Sequence, residues 1–264
     1  MLLVLPIVAI NVIVSGQIKT RIHIMGNLLK NMKLISLLLS FLITFNAYAN
    51  EVDDWLNKGY KAIKVKDDKQ AFKWFIKAAE QGHSTAQHYI SIMYSVGTGV
   101  TQDDKQAVKW QIKAAEQGNS AAQYYLGNMY TNGKGVTQDY KKAAKWYTKS
   151  AEQGYSKAQF NLGNVYSKGA GVTQDDKQAV KWYTKAAEQG DIYAQYNLAL
   201  MYSNGKGVMQ NNKKSYIWNA IAAASGYENA VINRDLDAKI LSPRGLEEAQ
   251  EEAAKIYEHI NSNK

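Results

Sequence analysis

The stretch GVTQDDKQAVKW at residues 99–110 recurs unchanged at residues 171–182, and a looser copy, GVTQDYKKAAKW, fills residues 135–146 midway between them. Successive copies are thus thirty-six residues apart. Carried along the chain, that interval puts Trp74, Trp110, Trp146, Trp182 and Trp218 in one column and Gly82, Gly118, Gly154, Gly190 and Gly226 in another. Ala86, Ala122, Ala158, Ala194 and Ala230 form a third, and Tyr94, Tyr130, Tyr166 and Tyr202 a fourth. A fixed period of this length marks a solenoid, whose units bury their apolar faces only against their neighbours. The charged, glycine and aromatic residues of the quoted stretch are therefore structural before they are chemical.

Residues 119–154 show how one unit folds. Ala122, Leu126, Met129 and Tyr130 fall at i, i+4, i+7 and i+8, one face of a helix beginning near Ser120, which is expected as its N-cap. Gly127 offers a point where a facing helix comes near the backbone. The following TNGKGV ends the helix, since Gly133 and Gly135 take positive φ without steric cost, and Val136 is expected to tuck back against the helix pair. Asp139 then stands where a carboxylate satisfies the free amides of a first turn, a place held elsewhere by Asp67, Asp103, Asp175 and Asn211. A second helix is expected from about Tyr140 to Gln153, burying Ala143, Trp146, Tyr147 and Ser150 or Ala151, with Gly154 as its C-cap. Its lysines, Lys141, Lys142, Lys145 and Lys149, lie on or beside the solvent side. The unit is an antiparallel helical hairpin.

The composition agrees with this. The chain of 264 residues has 46% hydrophobic and 21% charged residues and only 2 prolines, and its 19 glycines are periodic, so they punctuate helices rather than break them. Full units are expected at residues 83–118, 119–154, 155–190 and 191–226. Residues 50–82 form a shortened first unit without the GxGV turn. Residues 227–264 form a cap with one helix to about Ile240, then Ser242 as N-cap, Pro243 at the first helical position and a final acidic helix. The Trp and Ala columns are expected to be buried at successive interfaces, in about six hairpins counting both ends.

The N-terminus has another texture. Residues 32–49, MKLISLLLSFLITFNAYA, read as a signal peptide cleaved after Ala49: one lysine, an apolar run too short for a comfortable membrane span, then Ala47 and Ala49 at the cleavage site. Residues 1–31 contain a second apolar run followed by Lys19 and Arg21, and read as an over-extended start, as half of a retained two-segment membrane anchor, or as part of an unusually long leader. Removing residues 1–49 takes away Lys19, Arg21, Lys30 and Lys33 and no acidic residue, which lowers the formal net charge from +9 by those four. The remaining excess is spread through all repeats, which argues against a nucleic-acid partner. With no cysteine, an exported chain must hold itself together by packing.

The frame of Ala122, Leu126, Gly127, Tyr130, Gly133, Gly135, Val136, Asp139, Ala143, Trp146, Ala151 and Gly154 resembles the Sel1-like repeat, a relative of the tetratricopeptide repeat, and the ending NRDLDAKILSPRGLEEAQEEA is similar to that of many bacterial members. The resemblance covers residues 50–264. It implies an all-α, right-handed superhelical solenoid acting as a non-enzymatic adaptor or scaffold, periplasmic or secreted, with a protein or peptide partner and no cofactor. An alternative is hydrolysis or binding of β-lactam or cell-wall substrates, as in a cysteine-rich branch of the family; this chain lacks that branch's paired cysteines.

The residues offer little chemistry of their own. His83, His88 and His259 stand in no metal-ligand pattern, and the doublets at Asp103 and Asp175 lack the alternating oxygen ligands of a calcium loop. The GKGVTQD stretch has no lysine after its second glycine and runs into an acid, so it does not cradle phosphate. A Ser-x-x-Lys match at Ser203 and Lys206 repeats the turn of Thr131 and Lys134 and reads as a turn. No catalytic, cofactor-binding or metal-binding residue is expected. By analogy with tetratricopeptide repeats, the first helices should line a concave groove. There His88, Tyr124, Phe160 and Tyr196, beside Asn128 and Asn164, grip a peptide through aromatic area and side-chain amides, pack between adjacent units, or line a small-molecule site.

Overall fold

The structure, a computed structural model, describes Ser36, Ser40 and residues 50–262, and the chain divides into two compact units, residues 1–57 and residues 58–264. In the first unit Ser36, Ser40 and residues 50–57 are helical. The rest of residues 1–49, including nearly all of the expected leader, lies outside the described residues. Among the described residues no helix is long and apolar enough to cross a membrane.

The second unit is an all-α solenoid of paired helices. It opens with residues 58–64 (α1) and α2 (Asp68–Glu80), and continues with the hairpins α3 (Ser84–Val96) with α4 (Asp104–Glu116), and α5 (Ser120–Asn132) with α6 (Tyr140–Glu152). Two more hairpins follow, α7 (Ser156–Lys168) with α8 (Asp176–Glu188) and α9 (Ile192–Asn204) with α10 (Asn212–Ala224), before α11 (Glu228–Ile240) and α12 (Pro243–Ser262). The last pair is not another hairpin. α12 folds back onto α10, burying Ala249, Ala253 and Ile260 in the apolar cluster built by α8, α9 and α10. Helix α12 carries its small and apolar residues on one stripe, and α10 is the neighbour that stripe covers.

Caps set the helix boundaries. Asp67, Asp103, Asp139, Asp175 and Asn211 each accept from a first-turn amide, as Asp139 Oδ1 does from Lys142 N at 2.9 Å. That amide, with smaller help from the Lys142 side chain, holds the Asp139 carboxyl below the usual range. The first helices are capped one residue earlier than the sequence suggests. Asn119, not Ser120, is the N-cap of α5, its Oδ1 accepting from Ala122 N at 2.9 Å, and Asp191 does the same for α9. A short Asx side chain reaches the amide three residues on, and Ser120 is already helical. Gly154 is likewise displaced by one from the expected cap: Gln153 ends α6 with φ −80°, and Gly154 follows in the left-handed region at φ 88°.

Packing between units falls on fewer columns than expected. The alanines at 86, 122, 158, 194 and 230 are fully buried. The tryptophans are not uniform: Trp182 and Trp218 are buried, while Trp74, Trp110 and Trp146 are half-buried at the edge. A lysine head lies over each of those rings, Lys149 Nζ standing 4.5 Å from the centre of Trp146. Beside half-buried Trp146 the interior place belongs to Tyr147, and in the next unit Tyr183 shares it with Trp182; each tyrosine ring packs on the bare backbone of a glycine, Gly127 or Gly163. Gly127 is thus a seat for a ring rather than a point of approach for a helix.

Two further devices join consecutive units. Gly135, at φ 72° in the turn, lies against the first residue of α4, where a Cβ would overlap Asp104 O. Beside it, Val136 packs on the cluster of Ala107, Val108 and Leu126. On the other side a rung of glutamines crosses between repeats. Gln153 Nε2 donates to Gln123 Oε1 at 2.7 Å, and Gln123 Nε2 donates to Ala115 O at 3.0 Å. The same pairs recur as Gln117 with Gln87 and Gln189 with Gln159. The series stops at Gln195, whose Oε1 is buried without a partner because Ser225 stands where the donor glutamine would be.

Candidate protein-binding face

Three hollows repeat along the first helices of the last three full units and the cap. The first, of about 380 Å³, is lined by Thr131 from the end of α5, Tyr147 from α6, and Asn161, Asn164 and Lys168 from α7. The second, of about 360 Å³, is lined at equivalent positions by Ser167, Tyr183, Asn197, Leu200 and Asn204. Ser203, Asn219, Asn233, Leu236 and Ile240 line the third, of about 480 Å³. Each residue stands thirty-six places after its counterpart, so the hollows occupy equivalent places in successive units.

The polar groups at their base are fixed by one another. Tyr147 Oη donates to Asn128 Oδ1 at 2.7 Å, and the same oxygen accepts from Asn161 Nδ2 of the next unit at 3.2 Å. Thr131 Oγ1 lies 3.0 Å from the tyrosine oxygen. In the second hollow Tyr183 Oη donates to Asn164 Oδ1 at 2.8 Å, and Asn197 Nδ2 donates to it at 3.3 Å. Burial pushes both tyrosine hydroxyls above their ordinary range. Each asparagine of the row keeps part of its amide for another partner.

Of the six residues singled out from sequence, Asn128 and Asn164 join this network, and Asn164 borders two hollows. Tyr124, Phe160 and Tyr196 are half-buried and lie beside rings of the following unit. Their centroid distances are 5.3 Å to Tyr155, 6.0 Å to Tyr193 and 4.9 Å to Tyr227 respectively. His88 is 7% exposed, with Nδ1 3.1 Å from Gln111 Nε2, and burial lowers its pKa despite that contact, leaving the ring neutral. Sequence reasoning gave no binding role to the hydroxyl column Thr131, Ser167 and Ser203, of which Thr131 and Ser203 read only as turn residues, or to the amide column Asn161, Asn197 and Asn233. Their recurrence at the same interval was the available signal.

The other candidates keep structural roles. Ser203 lines the third hollow and Lys206 the second, so the Ser-x-x-Lys match does not converge on one place. Lys134, at the place of Lys206 two units earlier, donates to Ser95 O at 3.0 Å and pairs with Asp104 at 3.5 Å. Among the described residues no group of three or more His, Asp or Glu is placed to hold a metal ion.

The Sel1 repeat model matches residues 54–83, 84–119, 120–155, 156–191 and 192–227. The chain belongs to the Sel1 repeat family. A Sel1 repeat protein from Oxalobacter formigenes, known from its crystal structure, is 40% identical over 62% of this chain and 48% of its own, with a TM-score of 0.59. The antigen c5321, a protective antigen of uropathogenic Escherichia coli strains displaying an SLR fold, is 28% identical over 82% of this chain and 63% of its own, with a TM-score of 0.41. This chain thus spans less than two thirds of either. The immunity protein PA5088 from Pseudomonas aeruginosa is 22% identical over 80% of this chain and 82% of its own, with a TM-score of 0.47. No curated protein matches the sequence. The Sel1 repeat fold is of the protein-interaction type, in keeping with a scaffold or adaptor rather than an enzyme.

Proposed function

We propose that this Sel1 repeat protein is a bacterial adaptor acting outside the cytoplasm, and that it holds an extended protein segment along the row of hollows. The observation that supports this is the repetition of one hydrogen-bonded base, hydroxyl, tyrosine and two asparagines, in consecutive units. An extended chain presents peptide groups at regular intervals, and a ladder of amide side chains can both donate to them and accept from them. Aromatic edges at Tyr124, Phe160 and Tyr196 would border that track. Export rests on the leader-like residues 32–49.

Photo-crosslinking in the bacterial envelope tests the reading. A photoreactive residue at Asn197 should yield a discrete adduct that is absent when it is placed at Lys141, on the exposed side of α6. Replacing Asn161 and Asn164 with alanine removes two amide contacts worth about 1 kcal/mol each, so capture at Asn197 should weaken roughly thirtyfold. The same adduct from Lys141, or capture unaffected by the double substitution, would refute a partner in the hollows.

A further inference from the structure

The third hollow departs from the other two in the character of its base. Asn219 replaces the tyrosine, and α11 adds Asp237, a carboxylate only 5% exposed. Both hydrogen bonds to that carboxylate fall on Oδ2, from Ser215 Oγ at 2.6 Å and from Asn219 Nδ2 at 3.1 Å. Among the described residues no cationic side chain pairs with it. Arg234 is held by Asp235 at 2.7 Å, Lys213 by Glu248 at 3.0 Å, and the exposed Lys239 stands at the rim without an ion pair. A second acceptor is also unused: Asn219, 1% exposed, has a buried Oδ1 with no hydrogen-bond partner. The carboxylate thus has neutral donors but no counter-charge, and the buried amide oxygen has no donor at all; a cation answers both.

The walls say what carries that cation. Leu200, Leu236 and Ile240 line the same hollow, and Leu236 and Ile240 remain 53% and 65% exposed. An apolar wall above a base of acceptors fits an aliphatic stem ending in an ammonium group, which has three donors and no acceptor. We infer that the third hollow is a subsite for a lysine side chain of the bound segment, its stem lying along Leu236 and Ile240 and its ammonium donating to Asp237 and to Asn219 Oδ1. This rests on the proposed groove reading and gives it polarity, because the other two hollows carry no acid among the residues that line them. A partner would be anchored by a basic residue at the α11 end and followed by polar or neutral residues toward α5.

The test uses the full chain, labelled with ¹⁵N, and two small probes: Nα-acetyl-lysine methylamide and its norleucine counterpart, which keeps the stem and lacks the ammonium. Saturable shifts in the side-chain amide resonances of Asn219 and Asn233 are expected with the lysine probe alone. For a ligand of this size the dissociation constant should be on the order of 1 mM. Asp237→Asn should weaken binding at least about tenfold, as loss of a charged acceptor does. Lys239→Gln lies outside the packed base and covers the case in which the first variant does not fold. It removes the competing rim cation and should tighten binding roughly twofold. Equal shifts from both probes, no saturation, or weaker binding in Lys239→Gln would overturn the subsite. None of these outcomes bears on the crosslinks at Asn197, so failure of the subsite and failure of the groove are separable.

Discussion

Replacing Gly127 with alanine inserts one methyl group beneath the ring of Tyr147, where a Cβ would lie 2.5 Å from Cε1 and 2.6 Å from Cδ1. Carbon atoms prefer 3.5 to 4.0 Å, so the ring must retreat by about 1 Å, against a hydroxyl tethered to Asn128 at 2.7 Å. Overpacking of this kind costs about 1–3 kcal/mol, while alanine in a helix interior gains about 1 kcal/mol over glycine. The single variant alone therefore decides little. The informative comparison repeats the substitution in a Tyr147→Asn background, where the helical gain persists and the collision is gone. The chain already contains that exchange, since Ala199 and Asn219 occupy the equivalent places two units later. The effect of Gly127→Ala should then be more favourable by about 1–3 kcal/mol in the asparagine background, a coupling readable from urea unfolding followed by circular dichroism. An equal effect in both backgrounds would show that the glycine is kept for another reason and would refute the ring-on-backbone account.

Three other outcomes are expected. Ser225→Gln restores the missing donor to Gln195 Oε1 and should stabilise the protein by about 1 kcal/mol; a melting temperature that does not rise would reject the rung as a stabilising device. Gly135→Ala, which meets the Asp104 backbone, should cost more than Gly133→Ala, which bears only the left-handed strain of about 1–3 kcal/mol; equal losses in urea unfolding would deny the contact between units. Asp191→Asn keeps the cap while removing a carboxyl whose pKa burial raises. The wild type loses stability as pH rises from about 4 through that elevated pKa and the variant does not, so the variant's advantage should open with rising pH; a gap independent of pH in thermal melts would contradict this.

The solenoid was legible because its determinants are local and recur. A carboxylate three residues before an amide that lacks a partner, as at Asp139, announces a helix start whatever surrounds it, and small Ala122 and Ala158 recur where helices meet. Trp146 was misjudged because size argues for the interior equally at two adjacent positions, and the phase of a short helix does not separate them. Tyr147 took the interior, and Trp146 was left to Lys149 at the edge. The return of α12 to α10 depends on which apolar surface remains uncovered at the end of the stack, which periodicity does not express. The base of the hollows was hidden for a different reason. Asn161 meets Asn128 at a separation of 33 residues, three short of the repeat, so the partners stand in different columns when the units are aligned. Aligning units shows which residues are equivalent, not which residues touch.

The glutamine rungs make the number of stacked units a free variable. Gln159 reaches back to Ala151 O as Gln123 reaches to Ala115 O, and Gly171 lies on the start of α6 as Gly135 lies on the start of α4. Excising residues 119–154 would hand Gln159 to Ala115 and Gly171 to Asp104, partners of the same kind in the same geometry. A gene that gains or loses one block of thirty-six codons would thus meet no new junction to solve. Such an event would change the number of hollows by one while leaving the terminal one, with its carboxylate, in place.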